Sequence, residues 1–133
     1  MDQVKKNKEL IMAYYNAISG VLKSEELCRR FINDQKLIDN IAFWDAVFPK
    51  YELFADEIIT EGNRVVVRAR MKGEHKGILR GIPPTYRKIE LPFVIGYEVG
   101  NGKITSFWLF ADQMLLMEQL GIVNQPAEVK ERV

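Results

Sequence analysis

The sequence predicts an α+β domain in which N-terminal helices pack on one face of a bent antiparallel sheet. Three observations predict it. Up to Phe48 the apolar residues recur at helical spacing. From Arg64 they alternate: Val65, Val67, Ala69 and Met71 point one way, and Arg64, Arg68, Arg70 and Lys72 the other. Two short turns, Glu61-Gly62-Asn63 and Gly100-Asn101-Gly102, part successive alternating stretches as hairpin turns do.

The elements follow in order. Residues 2–22 read as one helix through Val4, Ile11, Tyr14, Tyr15, Ile18 and Leu22, with Ser19-Gly20 interrupting it near the end. Ser24 is placed to cap a short helix carrying Leu27, Cys28 and Phe31, and Asp34 to cap the next. That third helix buries Leu37, Ile38, Ile41, Trp44 and Phe48, and Pro49 ends it. Tyr51 to Thr60 is strand-like. The strand from Arg64 carries Gly73 and His75 onto its apolar face by parity. Gly77 to Thr85 is a connection rich in turn residues. Ile89, Leu91, Phe93, Ile95, Tyr97 and Val99 alternate along a further strand, where Pro92 marks a bulge or an edge. The last strand ends in Phe107-Trp108-Leu109-Phe110-Ala111 and runs through Asp112 into a helix, Gln113 to Leu120, with Gly121 at the capping position. The chain reads as one domain over residues 1–133, its core about 4–122, with a loosely held tail after Gly121.

The totals bound the function. A chain of 133 residues, 47% hydrophobic and 28% charged, is one globular domain able to bury its own core. Its 19 basic and 18 acidic residues leave a net charge of +1, which gives no electrostatic case for nucleic acid or an anionic membrane. Cys28 is the only cysteine, so no intrachain disulfide forms and a reducing compartment fits. One Cys and one His argue against zinc. The N-terminus is no signal peptide and no run is long enough to span a membrane, so a cytoplasmic location is expected. Phe107 and Leu109 face opposite to Trp108 and Phe110, and one layer of helices cannot cover both faces. A homodimer joined through the sheets is therefore expected.

Several short stretches resemble one family. Gly73-Glu74-His75-Lys76-Gly77, Gly81-Ile82-Pro83-Pro84-Thr85, Gly102-Lys103-Ile104, Trp108 with Asp112, and Leu116 to Gly121 are similar, in that order, to the pattern of SnoaL-like polyketide cyclases. The resemblance spans residues 34–122 in detail. It implies an NTF2-like cone of helices and curved sheet around an apolar pocket, often dimeric, with ketosteroid isomerase similar in fold. It also implies ring closure by intramolecular aldol condensation without metal or cofactor. Asp112 matches the family's catalytic aspartate and His75 the histidine of its G-x-H-x-G motif. Relatives often carry a histidine where this chain has Phe107 or Asn40.

Each candidate has two readings. Asp112 either caps the final helix, where the N-terminus favours the anion, or faces a pocket as an acid or base, where burial disfavours it. His75 is either bonded to nearby backbone or part of the pocket wall. Of the aromatic and methionine positions, Tyr14, Tyr15, Trp44, Met71, Tyr97, Trp108, Met114 and Met117 are mostly core or interface. Tyr14 and Tyr97 stand out, because a phenol can hydrogen-bond a developing enolate. Trp44, Met71, Trp108 and Phe110 complete the expected substrate contacts. The reading is a cofactor-independent lyase or isomerase for a small hydrophobic carbonyl compound. The alternatives are a non-catalytic binder of the same molecules and a protein–protein adaptor using the sheet.

Overall fold

The computed structural model describes residues 2–122. The expected loose tail falls almost wholly outside them. Helix α1 spans Asp2–Ile18 and buries Ile11, Tyr14, Tyr15 and Ile18. It stops short of residue 22 because Gly20 takes a left-handed φ of 74° and donates its N–H to the Tyr51 carbonyl at 2.9 Å. Val21 and Leu22 are thereby left exposed. Helix α2, Glu25–Arg29, is capped by Ser24, whose Oγ accepts the Leu27 N–H at 3.1 Å. Helix α3, Gln35–Val47, has Asp34 at its N-cap position, but the Asp34 side chain makes no capping bond.

Four strands follow as an antiparallel meander: β1 Glu52–Glu61, β2 Arg64–Glu74, β3 Lys88–Gly100 and β4 Lys103–Ala111. Gly62 supplies the positive φ of the first hairpin, and Asn101 and Gly102 that of the last. Bulges at Ala55/Glu57 and Glu98/Val99 bend the sheet. Pro92 marks no bulge. It lies just past Phe93–Ala111, the last β3–β4 pair, where the strand has an open side and the missing N–H costs no ladder bond.

Parity on β2 and β3 divides the sheet cleanly. Val65, Val67, Ala69, Met71, Ile89, Leu91, Ile95 and Tyr97 are buried beneath the helices. On the outer face the basic row meets acids of neighbouring strands, with Arg70–Asp56 at 2.9 Å and Arg70–Glu90 at 3.1 Å. The outer face of β4 is different. Trp108 and Phe110 are 43% and 71% exposed, and the Trp108 ring lies so close on Gly96 that a Cβ there would sit 2.2 Å from it.

The last element, α4 Gln113–Gln119, ends as predicted at Gly121, whose φ is 75°. The Ile122 N–H reaches the Met117 carbonyl at 2.9 Å and completes a Schellman close. The buried apolar residues form two clusters. One holds Ile11, Tyr14, Ile18, Val65, Val67 and Tyr97, and the other Phe48, Leu79, Ile89, Leu116 and Leu120. The turn after α1 is tied to α3 and β1 by a buried cation. Lys23 Nζ donates to the Tyr51 carbonyl at 2.8 Å, and Asp45 accepts the backbone N–H of Lys23 and of Lys50.

Candidate functional site

A cavity of about 280 Å³ opens between the helices and the inner face of the sheet. Its deep wall is made by three tyrosines. Tyr14 and Tyr15 come from adjacent positions on α1, and Tyr97 from the middle of β3. All three are buried, and the Tyr15 and Tyr97 hydroxyls lie 3.0 Å apart. Tyr14 meets both rings edge-on, with centroids 5.5 Å from Tyr15 and 6.1 Å from Tyr97. That geometry suits the aromatic quadrupole and fixes the phenols in place.

Burial raises the proton affinity of each of these phenols above its ordinary value. At neutral pH they are uncharged O–H donors. Within the Tyr15–Tyr97 pair one hydroxyl donates to the other, so the second keeps its hydrogen for another acceptor.

The remaining walls are apolar apart from a fourth buried tyrosine, Tyr51, just ahead of β1. Helix α3 contributes Leu37, Ile41 and Trp44, and the strands contribute Met71, Leu91, Ile95 and Leu109. Polar groups return at the other end. Asn40 stands on α3, and Arg80 and Gln113, both exposed, line the cavity from the β2–β3 connection and the start of α4. The cavity is thus apolar in the middle, with neutral donors at depth and the Arg80 cation towards solvent.

Four of the expected site residues meet on this wall: Tyr14, Tyr97, Trp44 and Met71. Trp108 and Phe110 stand on the outer face of β4, as the register Gly96–Trp108 and Val94–Phe110 requires. His75 is fully buried, as its parity demanded, but beside the second core cluster and outside the cavity lining. Its ring packs 5.7 Å from that of Phe48, and Nδ1 accepts the Thr85 N–H at 3.1 Å. The Thr85 Oγ1 lies 3.0 Å from the same Nδ1; with Nδ1 accepting the backbone N–H, the ring hydrogen sits on Nε2, which is buried and without a partner among the described residues.

Asp112 is exposed and occupies the N-cap of α4, where Oδ1 accepts the Leu115 N–H at 3.0 Å. Its two chain neighbours, Ala111 and Gln113, both line the cavity, so the carboxylate stands beside the mouth. No distance of hydrogen-bonding range joins Asp112 to His75.

Tyr15, Arg80 and Gln113 were not singled out from the sequence as substrate contacts. Tyr15 follows Tyr14 directly in the apolar part of α1, and that adjacency was the available signal. Nothing in periodicity marks Arg80, whose place depends on a turn. Among the described residues no group of three or more His, Cys, Asp or Glu converges as a metal-ligand set. No helix among them is long and apolar enough to cross a membrane.

Comparisons with known proteins bear on this geometry. The family described as SnoaL-like polyketide cyclase matches residues 24–120. No curated protein matches the sequence. Among solved structures, AclR of Streptomyces galilaeus, a candidate hydroxylase, is 19% identical with a TM-score of 0.76, covering 97% of this chain and 90% of its own. A candidate SnoaL-like polyketide cyclase of Jannaschia sp. CCS1 is 20% identical with a TM-score of 0.76, covering 90% and 94%. IdmH of Streptomyces antibioticus, a candidate polyketide cyclase, is 22% identical with a TM-score of 0.72, covering 86% and 98%. At such identities these neighbours establish the fold, an NTF2-like arrangement of helices on a curved open antiparallel sheet. The match of the family over most of the chain carries the assignment: the chain belongs to the SnoaL-like polyketide cyclase family.

Proposed function

We propose that this protein is a cofactor-independent lyase or isomerase that enolises a hydrophobic carbonyl compound, with aldol-type ring closure as the family's version of that chemistry. The observation that carries this reading is the group of neutral phenols on the deep cavity wall. A substrate carbonyl seated there would accept a hydrogen bond that strengthens as its oxygen becomes an enolate. The apolar walls would strengthen it further by excluding water. Asp112, beside the mouth, is the candidate base for the α-proton.

The test is hydrogen–deuterium exchange at the α-carbon of aryl ketones and β-keto esters, followed by NMR in heavy water. We expect the wild type to exceed the buffer rate for at least one ketone. Tyr97→Phe should lower that rate by about 10²-fold, the usual loss on removing one oxyanion donor. Asp112→Asn should abolish exchange while keeping the fold and the binding.

A binder of the same molecules is the second reading, and one observation favours it. Among the described residues no Asp, Glu or His lines the cavity, and Asp112 already holds a helix N–H. Ketones that bind but exchange no faster than in buffer would decide for the binder.

The outer face of β4 supports a homodimer. Trp108, Phe110 and Val94 form an exposed apolar patch beside a region of paired charges. A monomer in analytical ultracentrifugation at tens of micromolar would overturn this assembly.

A further inference from the structure

Among the described residues Arg80 is the one charged side chain lining the cavity, and three features bear on what it could meet there. The first is its backbone. Leu79 and Ile82 exchange both N–H to carbonyl bonds, at 3.0 and 2.8 Å, so Arg80-Gly81 is the two-residue loop of a minimal hairpin. Its φ values, 47° and 86°, are both left-handed, as a type I′ turn requires. The first of these positions favours Asn, Asp or Gly, and a long side chain there is held against its preference. Leu79, fully buried, anchors the loop to the core.

The second feature is where the guanidinium lies. It sits over the Phe43 and Trp44 rings of α3, 5.9 and 5.7 Å from their centroids. Nη1 is 3.4 Å from the Gln113 Oε1. Aromatic rings on one side and an amide on the other hold the planar group at the cavity opening. The third feature is what it lacks. Arg64, Arg68 and Arg70 each pair with a carboxylate, whereas among the described residues no acid pairs with Arg80, nor with Arg30 or Arg87, which lie outside the cavity lining.

We propose that the cavity takes an amphiphilic carboxylate, its apolar body inside and its carboxylate held at the mouth by Arg80. A guanidinium presents a fork that matches a carboxylate, and the turn places that fork beside an apolar space. This rests on the reading of the cavity as the site for a hydrophobic carbonyl compound and narrows it. The substrate class becomes a keto acid, with its carbonyl facing the tyrosines and its acid group at Arg80.

The experiment is isothermal titration of the whole chain with naphthylacetate, biphenylacetate and dodecanoate, each against its own primary amide. The amide reports the apolar cavity and the acid-over-amide preference reports Arg80. At low salt we expect the wild type to prefer at least one acid by about tenfold, between an exposed ion pair and a buried charged hydrogen bond. Salt should shrink that preference without weakening the amide. Arg80→Met should weaken the acids more than the amides and so remove the preference, while Arg80→Lys keeps part of it. Equal binding of acid and amide by the wild type, or a preference surviving in Arg80→Met, overturns the carboxylate anchor alone. If none of the acids or amides binds, the cavity reading falls and the anchor with it.

Discussion

The inner face of the sheet carries two sets of buried polar side chains, and the space around them differs. At one end the tyrosine hydroxyls border a cavity of about 280 Å³, with apolar walls and an open mouth. At the other, His75 is packed beside Phe48, with Leu79, Leu116 and Leu120 completing the cluster, and all are at most 1% exposed. Both sets lie at inward positions of the strands and both belong to buried residues. A polar group on the inner face can therefore serve either chemistry or architecture, and free volume beside it separates the two. Phenols that border space can meet a ligand. An imidazole packed without space meets the chain around it.

The packed end should be brittle, and Gly77 is where to break it. A Cβ on Gly77 would lie 2.0 Å from the Ala46 carbonyl oxygen and 3.1 Å from the Val47 Cα. Both contacts are backbone, and the Gly77 N–H is bonded to the Val47 carbonyl at 3.0 Å, so neither the β2–β3 connection nor the end of α3 can give way. Gly77→Ala should cost about 3 kcal/mol or more in urea unfolding, at the upper end of overpacking effects. Unchanged stability would show that this end is looser than its contacts.

The cavity end should declare itself in alkali. Burial raises the proton affinity of Tyr14, Tyr15, Tyr51 and Tyr97 above the ordinary tyrosine value of 10.0. Groups raised in the folded state contribute stability that is complete below the unfolded value and is lost as pH climbs past it. Lys23, lowered by burial from 10.5, works the other way, but it is one group against four. Each phenol steepens the loss by about 1.4 kcal/mol per pH unit above pH ~10. Tyr97→Phe should flatten the slope by about that amount in unfolding titrations. An unaltered slope would mean that Tyr97 is wetter than its burial implies.

Asp112 stands between the two ends, and two substitutions separate its possible roles. Asp112→Ala removes the acceptor of the Leu115 N–H and should cost ~1 kcal/mol, read as a lower unfolding midpoint. Asp112→Asn should cost next to nothing, because asparagine caps a helix as well as aspartate does. A loss of function in Asp112→Asn would therefore be chemical rather than structural. A large loss of stability would show that the carboxylate does more for the fold than one capping bond.

Parity made the sheet legible before any coordinates. Val65 to Met71 and Ile89 to Val99 are inward by alternation alone, and the Gly62 and Gly102 turns join the strands that they separate in sequence. The Ser24 cap and the Gly121 stop were equally local. Alternation could not say where along the inner face the cavity would open, because that depends on how α1 and α3 lie across the sheet. It placed His75 inward without distinguishing a packed position from a wall. It placed Trp108 and Phe110 together on one face, but they were also expected among the substrate contacts, and that face turned out to be the outer one. Arg80 was out of reach for a different reason. Its position follows from two consecutive left-handed residues, one of them not glycine, and no apolar pattern reports such a turn.

His75 offers the finest test of the contrast, because two effects of opposite sign meet on one ring. Nδ1 accepts the Thr85 N–H, and losing that acceptor leaves a donor without a partner. Nε2 carries a hydrogen that already has no partner among the described residues, and removing it relieves a standing penalty. His75→Leu makes both changes while keeping most of the ring's volume, so its net cost should be within about 1 kcal/mol. His75→Ala makes the same polar changes but opens a void in the packed end, and should cost ~2–3 kcal/mol more. If the imidazole only holds the chain, α-proton exchange in folded His75→Leu should match the wild type. A folded His75→Leu protein with lost exchange would move His75 from the core to the chemistry, and with it the boundary drawn here between the two ends of the sheet.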